Sequence, residues 1–191
     1  MPRLPPRPHL AWTEAGAPRS LDADDIFFAG DGLAETRAVF LAGCGLPEGW
    51  AGRESFAVGE LGFGSGLNIV ALWELWRRTR PSPAARLSIV SVDHALMTED
   101  EARRALAPAL VRSPEIADLA DRLTALWPER ARSVQRLDLG EGVRLTVFID
   151  EAEAALAQMR QPLDAWFLDG FAPSRNPEMW TDAVFAHLRR L

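Results

Sequence analysis

The sequence predicts an α/β fold built on a mostly parallel sheet. Apolar runs of strand length alternate with helix-period segments, the pattern of strands joined by right-handed helical crossovers. The first clear strand runs into closely spaced glycines, Gly62, Gly64 and Gly66, and then into a helical pattern. The main strands end in this glycine turn, in Asp93, in Asp150 and in Asp169. Parallel α/β sheets bind ligands outside the carboxyl ends of their strands, so these residues are expected to converge on one edge.

The elements follow in order. Residues 1–25 are rich in proline and polar residues and read as an extended arm. Residues 24–41 hold Phe27, Phe28 and the run Val39, Phe40, Leu41, a short strand and then a helix; residues 43–52 read as a loop. A strand is expected over 56–62 and a helix over 66–80, stopped by Pro81. Residues 87–92 make a second strand. Thr98 and Glu101 spell a capping box for a helix to 112. Ser113 before Pro114 reads as the N-cap of a helix to Trp127. Residues 134–137 and 143–149 pair as a hairpin, 151–160 is helical, and 163–168 is a strand. Asn176 caps a last helix carrying Met179, Ala183 and His187 four apart.

Composition narrows the class. The 191 residues suffice for one ordinary domain, and 48% hydrophobic with 25% charged residues is normal for a globular chain. No apolar run approaches the ~20 residues of a membrane span, so no membrane partner is expected. The N-terminus has Arg3 and Arg7 among prolines and lacks the apolar core of a secretion signal. A single cysteine, Cys44, excludes an internal disulfide framework and fits a reducing, cytoplasmic location; its own expected role is a small loop or buried residue. The net charge of -6 argues against a wholly basic nucleic-acid footprint but allows local basic patches. The basic residues are all arginine. They cluster at Arg77, Arg78 and Arg80, at Arg103 and Arg104, at Arg130, Arg132 and Arg136, and at Arg189 and Arg190, and read as solvated helix faces.

The glycine spacing is G-x-G-x-G, with Leu67 where a dinucleotide fold needs its third glycine. Such a turn, with Glu60 just before it, suits a nucleoside ligand without a pyrophosphate, such as S-adenosylmethionine; a nicotinamide enzyme is a distant alternative. Asp93 has the reach to accept hydrogen bonds from both hydroxyls of a ribose. Asp150 is equally an acceptor for an adenine amino group or a helix N-cap. Asp169, beside Phe171 and Pro173, reads either as an ordinary turn aspartate or as a carboxylate placed to hold a substrate amine and accept its proton, its pKa then raised by burial and lowered by the cationic amine. His9, His94 and His187 have no metal-ligand spacing with carboxylates or Cys44, so no metal is expected. The tryptophans read as core, with Trp180 nearest the candidate site.

Three stretches, residues 60–68, residues 164–173 (Asp-Ala-Trp-Phe-Leu-Asp-Gly-Phe-Ala-Pro) and residues 176–180 (Asn-Pro-Glu-Met-Trp), resemble the bacterial tRNA 5-methylaminomethyl-2-thiouridine methyltransferase family. Residues 24–28 and 32–41 are similar to its N-terminal pattern, and the likeness runs from about Trp12 to Leu191. The resemblance implies a Rossmann-like class I S-adenosylmethionine-dependent methyltransferase acting on the aminomethyl group of the modified wobble uridine at tRNA position 34. It implies that Glu60, Gly62, Gly64, Gly66, Asn68, Asp93 and Asp150 hold the cofactor. Asp169 would orient and deprotonate the amine, with Phe171, Pro173, Asn176 and Trp180 on the substrate side. It divides the chain into an N-terminal arm and substrate-side extension, 1–55, and a partial cofactor-binding domain, 56–191, together one structural domain. It also implies an FAD-dependent oxidase partner, which in many relatives is a fused C-terminal domain.

Some positions depart from that pattern. Phe28 stands in place of a tyrosine, Asp93 in place of a glutamate, His94-Ala95-Leu96 in place of a more basic run, and Ile149-Asp150-Glu151 in place of Gly-Asp-Ala. The class I sheet has seven strands in the order 3-2-1-4-5-7-6, of which the first four, and the helix after the fourth, are placed here. The sequence therefore predicts a sheet lacking the last strands, with residues 165–168 as an exposed apolar edge. Two alternatives stay open: a class I methyltransferase with another substrate, and a truncated, non-catalytic remnant serving as an interaction module.

Overall fold

A computed structural model describes residues 4–28, 30–131 and 133–191. Residues 1–3 of the proline-rich arm, and Arg132 of one arginine cluster, lie outside the described residues. The strongest apolar runs form the middle of a five-stranded sheet. Its strands are β4 (Ser55–Leu61), β5 (Arg86–Asp93), β6 (Val134–Gly140), β7 (Val143–Ile149) and β8 (Ala165–Leu168), in the order β6-β7-β5-β4-β8. β5 and β8 flank β4 in parallel, β7 runs parallel to β5, and β6 turns back antiparallel along β7. β4 is buried from Phe56 to Leu61, as a central parallel strand covered on both faces must be.

Within the expected arm, residues 10–25 are not extended away from the fold. The chain there forms a small antiparallel sheet of β1 (Leu10–Trp12), β2 (Pro18–Ser20) and β3 (Asp25–Ile26). A turn closed by Thr13 reverses the chain: its carbonyl accepts from Gly16 N–H at 2.9 Å and its hydroxyl from Ala17 N–H at 3.0 Å. A short helix, α1 (Gly32–Glu35), then widens into a π-helical stretch, Thr36–Leu41.

The remaining helices are α2 (Leu67–Thr79), α3 (Glu99–Arg112), α4 (Ala117–Ala125), α5 (Ala152–Gln158) and α6 (Asp182–Arg190). Residues of α2, α3 and α4 join one face of the sheet in a large apolar cluster around Trp50, Trp73 and Trp76. Residues of α5 and α6 cover the other face around Val90, Val92 and Leu156. The expected capping box of α3 is formed: Glu101 N–H donates to the Thr98 hydroxyl at 3.2 Å, and Thr98 N–H to Glu101 Oε2 at 2.7 Å.

Two expected caps are absent. Ser113 opens a 3-10 turn, Pro114–Ile116, without a side-chain bond, and α4 begins only at Ala117. Asn176 likewise opens a 3-10 turn, Pro177–Trp180; its amide nitrogen faces Met179 Sδ at 3.5 Å. Thr181 caps α6 instead, accepting from Val184 N–H at 3.2 Å, so Met179 is not on the helix of Ala183 and His187. Proline fixes φ for the first position of either helix type, so a Ser-Pro or Asn-Pro pair marks a start without choosing which.

β8 is an edge strand among the described residues, but its apolar side chains are not bare. Phe167 is fully buried and packs on Phe40 with ring centres 5.5 Å apart, and the Cys44 thiol lies 3.6 Å from the Trp166 carbonyl.

Candidate active site

A cavity of about 610 Å³ opens at the carboxyl ends of β4, β5, β7 and β8. Glycines permit the turn that forms its floor. Gly62 has φ +95°, and a Cβ there would lie 2.0 Å from the Asp169 carbonyl oxygen, so no side chain fits between the ends of β4 and β8. Gly64, at φ +53°, donates its N–H to Asp93 Oδ2 at 3.1 Å and lies under the Phe27 ring. Gly66 is the N-cap residue of α2 and does not line the cavity.

The strand-end carboxylates converge as the sequence predicts. Asp93 accepts from Gly64 N–H with one oxygen and from Ala95 N–H at 2.9 Å with the other. Burial pushes its pKa up, and these backbone donors oppose the rise. Asp150 lines the same cavity; its backbone N–H donates to the Asp93 carbonyl at 3.1 Å, and its side chain accepts from Glu151 N–H at 3.0 Å. That last bond is local, and the first turn of α5 receives no side-chain cap at Glu151. Asp169, after β8, accepts from Asn68 Nδ2 at 2.6 Å. Burial raises its pKa to about 6, the Asn68 bond opposes this, and the charge of Glu35 adds to it.

Asn68 lies in the cavity lining. It is 5% exposed at the start of α2, and its amide spans from the Thr36 hydroxyl, which donates to Oδ1 at 2.7 Å, to Asp169. Glu60 lies beneath the cavity rather than in its lining. It is fully buried near the end of β4, with Oε2 accepting from the Ser91 hydroxyl and Oε1 without a hydrogen-bond partner among the described residues. Burial raises its pKa to about 8, the Ser91 bond opposes this, and the charges of Asp169 and Asp93 add to it. At neutral pH Glu60 is a carboxylic acid and Asp169 a carboxylate.

On the other side of the cavity, Phe171 and Asn176 belong to the lining, while Pro173 and Trp180 do not. Trp180 stands behind, its Nε1–H donating to the Phe171 carbonyl at 2.9 Å. The Phe171 ring meets Phe27 edge-on at 5.0 Å, and Arg175 pairs with Asp24 at 3.0 Å. The lining is strongly acidic. Asp22, Asp25, Glu35, Asp93, Asp150 and Asp169 contribute, and Arg175 is the one arginine in it among the described residues. Thr36, Ser91, Phe27 and Glu35 were not among the site residues expected from sequence. Thr36 and Ser91 carry no spacing signal, because their partners lie 32 and 31 positions away.

The profile of a family described as S-adenosyl-L-methionine-dependent methyltransferase matches residues 114–191. A tRNA 5-methylaminomethyl-2-thiouridine biosynthesis bifunctional protein from Maricaulis maris is 53% identical over 184 residues, 95% of this chain and 31% of that protein. Its counterpart from Caulobacter vibrioides is 50% identical over 179 residues, 93% of this chain and 29% of that protein. The chain thus spans about a third of the length of these relatives. In fold it is similar to the crystal structure of MNMC2 from Aquifex aeolicus, with a TM-score of 0.64 and 22% identity over 96% of this chain and 56% of that one. The chain is thus similar over residues 114–191 to the S-adenosyl-L-methionine-dependent methyltransferase family, and over nearly its whole length to part of the bifunctional tRNA 5-methylaminomethyl-2-thiouridine biosynthesis proteins.

Proposed function

We propose that this domain methylates the amine nitrogen of the 5-aminomethyl group on the modified wobble uridine, position 34 of tRNA, giving 5-methylaminomethyl-2-thiouridine. The observation that carries this reading is Asp169, a carboxylate with its pKa raised to about 6, held by Asn68 where the glycine turn meets the cavity. S-adenosylmethionine supplies a methyl group activated by its sulfonium sulfur. The residues present fit that group. Asp93 and Asp150 offer acceptors to ribose hydroxyls and an adenine amino group, Gly62 and Gly64 offer bare backbone, and Glu60 supports the turn from below. The acidic lining suits a ligand that carries sulfonium and ammonium charges.

Asp169 then has a defined task. It receives the substrate ammonium as a hydrogen-bond donor, takes one proton, and leaves the nitrogen lone pair aimed at the methyl carbon. In-line displacement needs little else beyond position, so much of the rate comes from holding the amine and the methyl donor together. Phe171 and Asn176 bound the amine side, and Pro173 and Trp180 support that loop. The target base must leave its stack to enter a cavity of this depth. Residues 1–55 act as a substrate-side extension and 56–191 as the cofactor-binding part. The partners in this reading are tRNA and an FAD-dependent oxidase domain or protein that acts on the preceding intermediate, and the site of action is the cytoplasm. Among the described residues no helix is long and apolar enough to cross a membrane.

The test is transfer of labelled methyl to tRNA lacking this modification, with nucleosides identified by mass spectrometry. Asp169→Asn is expected to lower turnover by about 10²–10⁴-fold while S-adenosylhomocysteine still binds in a calorimetric titration. Because the ionised form is the base, kcat should fall as pH drops below about 6. Turnover unchanged by the substitution would remove Asp169 from the chemistry. A folded, cofactor-binding chain that methylates no tRNA would move the reading to another substrate.

A further inference from the structure

We propose that Thr36 is a positioning residue for Asp169, acting through Asn68: its hydroxyl anchors the Asn68 amide, and the anchored amide orients the carboxylate. This rests on the role of Asp169 proposed above. Three segments far apart in sequence meet in one hydrogen-bond chain. The Thr36 hydroxyl donates to Asn68 Oδ1 at 2.7 Å, and Asn68 Nδ2 donates to Asp169 Oδ2 at 2.6 Å. Thr36 and Asn68 are 3% and 5% exposed, so water does not replace either bond readily.

The chemistry of a primary amide makes the order matter. Its oxygen only accepts and its nitrogen only donates. With Thr36 donating to the oxygen, the nitrogen is directed at Asp169. Each bond in such a chain polarises the next, so a hydroxyl two links away strengthens the donor that the carboxylate feels. Without the hydroxyl, Oδ1 is a buried acceptor with nothing to accept, and the amide gains by turning away from Asp169. Asp169 Oδ2 is thereby held, and Oδ1, which has no hydrogen-bond partner among the described residues, is left for the substrate amine.

The backbone supports this placement. Thr36 begins the π-helical stretch Thr36–Leu41, directly after α1. A threonine inside an α-helix often returns its hydroxyl to a carbonyl of the preceding turn. Here the hydroxyl crosses to α2 instead. π-helical turns recur at functional sites, and this one brings a buried hydroxyl to the amide that bonds Asp169. The titratable groups facing Asp169 are Glu35 from α1 and Glu60 from β4, and Asp25, Arg175 and Glu178 stand around the same cavity. None of these replaces the neutral donor that Asn68 provides.

The experiment reads the chain without substrate. The full 191-residue protein is labelled at aspartate carboxyl carbons and side-chain amides, with the Asp169 signal assigned by Asp169→Asn. In the unaltered protein, one Asn68 amide proton should shift with the same midpoint as the Asp169 carboxyl. In Thr36→Val the Asp169 midpoint should rise by about one pH unit, because the ionised form loses its donor. Thr36→Ser, which keeps the hydroxyl, should restore it. In the methyl-transfer assay, the acidic limb of kcat should move to higher pH by the same amount, with KM for the cofactor unchanged.

An Asn68 amide proton indifferent to Asp169 ionisation overturns the proposal, and needs no variant to be read. So does a folded Thr36→Val protein with an unaltered Asp169 midpoint. If Thr36→Val does not fold, the amide titration of the unaltered protein decides. A protein that shows the coupled titration but methylates no tRNA would overturn the substrate assignment and leave the Thr36–Asn68–Asp169 chain standing.

Discussion

A carboxyl group buried away from solvent beside two acidic neighbours keeps its proton. That is the state of Glu60, and burial is the leading cause of its pKa near 8. Proton linkage gives the sign of its effect on stability. The folded pKa lies above the unfolded value of 4.5, so the contribution is fully present below about pH 4.5 and is lost as pH rises through about 8. Glu60→Gln removes the charge and keeps the shape. We expect the two proteins to match in urea unfolding at pH 4 and the glutamine variant to be more stable at pH 9, by on the order of a few kcal/mol. Parallel pH profiles would mean that Glu60 ionises freely in the fold. Residues of this kind divide sharply in their legibility. Asp93 and Asp169 were legible because each ends an apolar strand, and topology alone brings strand ends together. The neutral state of Glu60 was not, because it depends on burial and on the nearby charge of Asp169, and only folding supplies either.

Element starts show where local sequence decides and where it does not. Thr98 and Glu101 are three apart, and their reciprocal bonds need nothing beyond the helix they open. Ser113 and Asn176 carry the right residue type before a proline, yet neither side chain caps a helix. The proline makes a 3-10 turn as readily as an α-turn, and packing of Ile116 in one case and Trp180 in the other favours the tighter turn. The small N-terminal sheet was missed for a related reason. Strands of two or three residues carry no period, and the turn at Thr13 is visible only through its bonds. The contrast is measurable. Thr98→Ala should lower stability by about 1 kcal/mol, whereas Ser113→Ala should change it by only a few tenths. Equal effects in urea titrations would show that the capping assignment of these two helices is wrong.

At the scale of the molecule, the sheet order β6-β7-β5-β4-β8 puts the glycine turn and three aspartates on one edge, and the N-terminal sheet closes over it. Three contacts join that sheet to the loop after β8. Phe27 meets Phe171 edge-on at 5.0 Å, Asp24 pairs with Arg175 at 3.0 Å, and Asp25 accepts from Ala172 N–H at 3.4 Å. The ion pair is exposed at 47% and 59% of the two side chains, so it contributes little alone. The Phe27 ring of the aromatic pair lies over Gly64, and the pair carries more of the closure. Phe27 also packs against the cluster of Met97, Ala102 and Ala105, so the loop it holds is tied to α3 as well. Removing the ring should therefore open the cavity without unfolding the large sheet, whose core is built on α2 and α4. Phe27→Ala is expected to weaken S-adenosylhomocysteine binding by about 3–10-fold, the range that an aromatic pair of about 0.5–1.5 kcal/mol supplies. Limited proteolysis should cut faster within residues 24–28, and the circular dichroism of the sheet should be unchanged. Calorimetry that finds the affinity intact, with the same proteolytic pattern, would mean that the clasp between Phe27 and Phe171 plays no part in retaining the ligand.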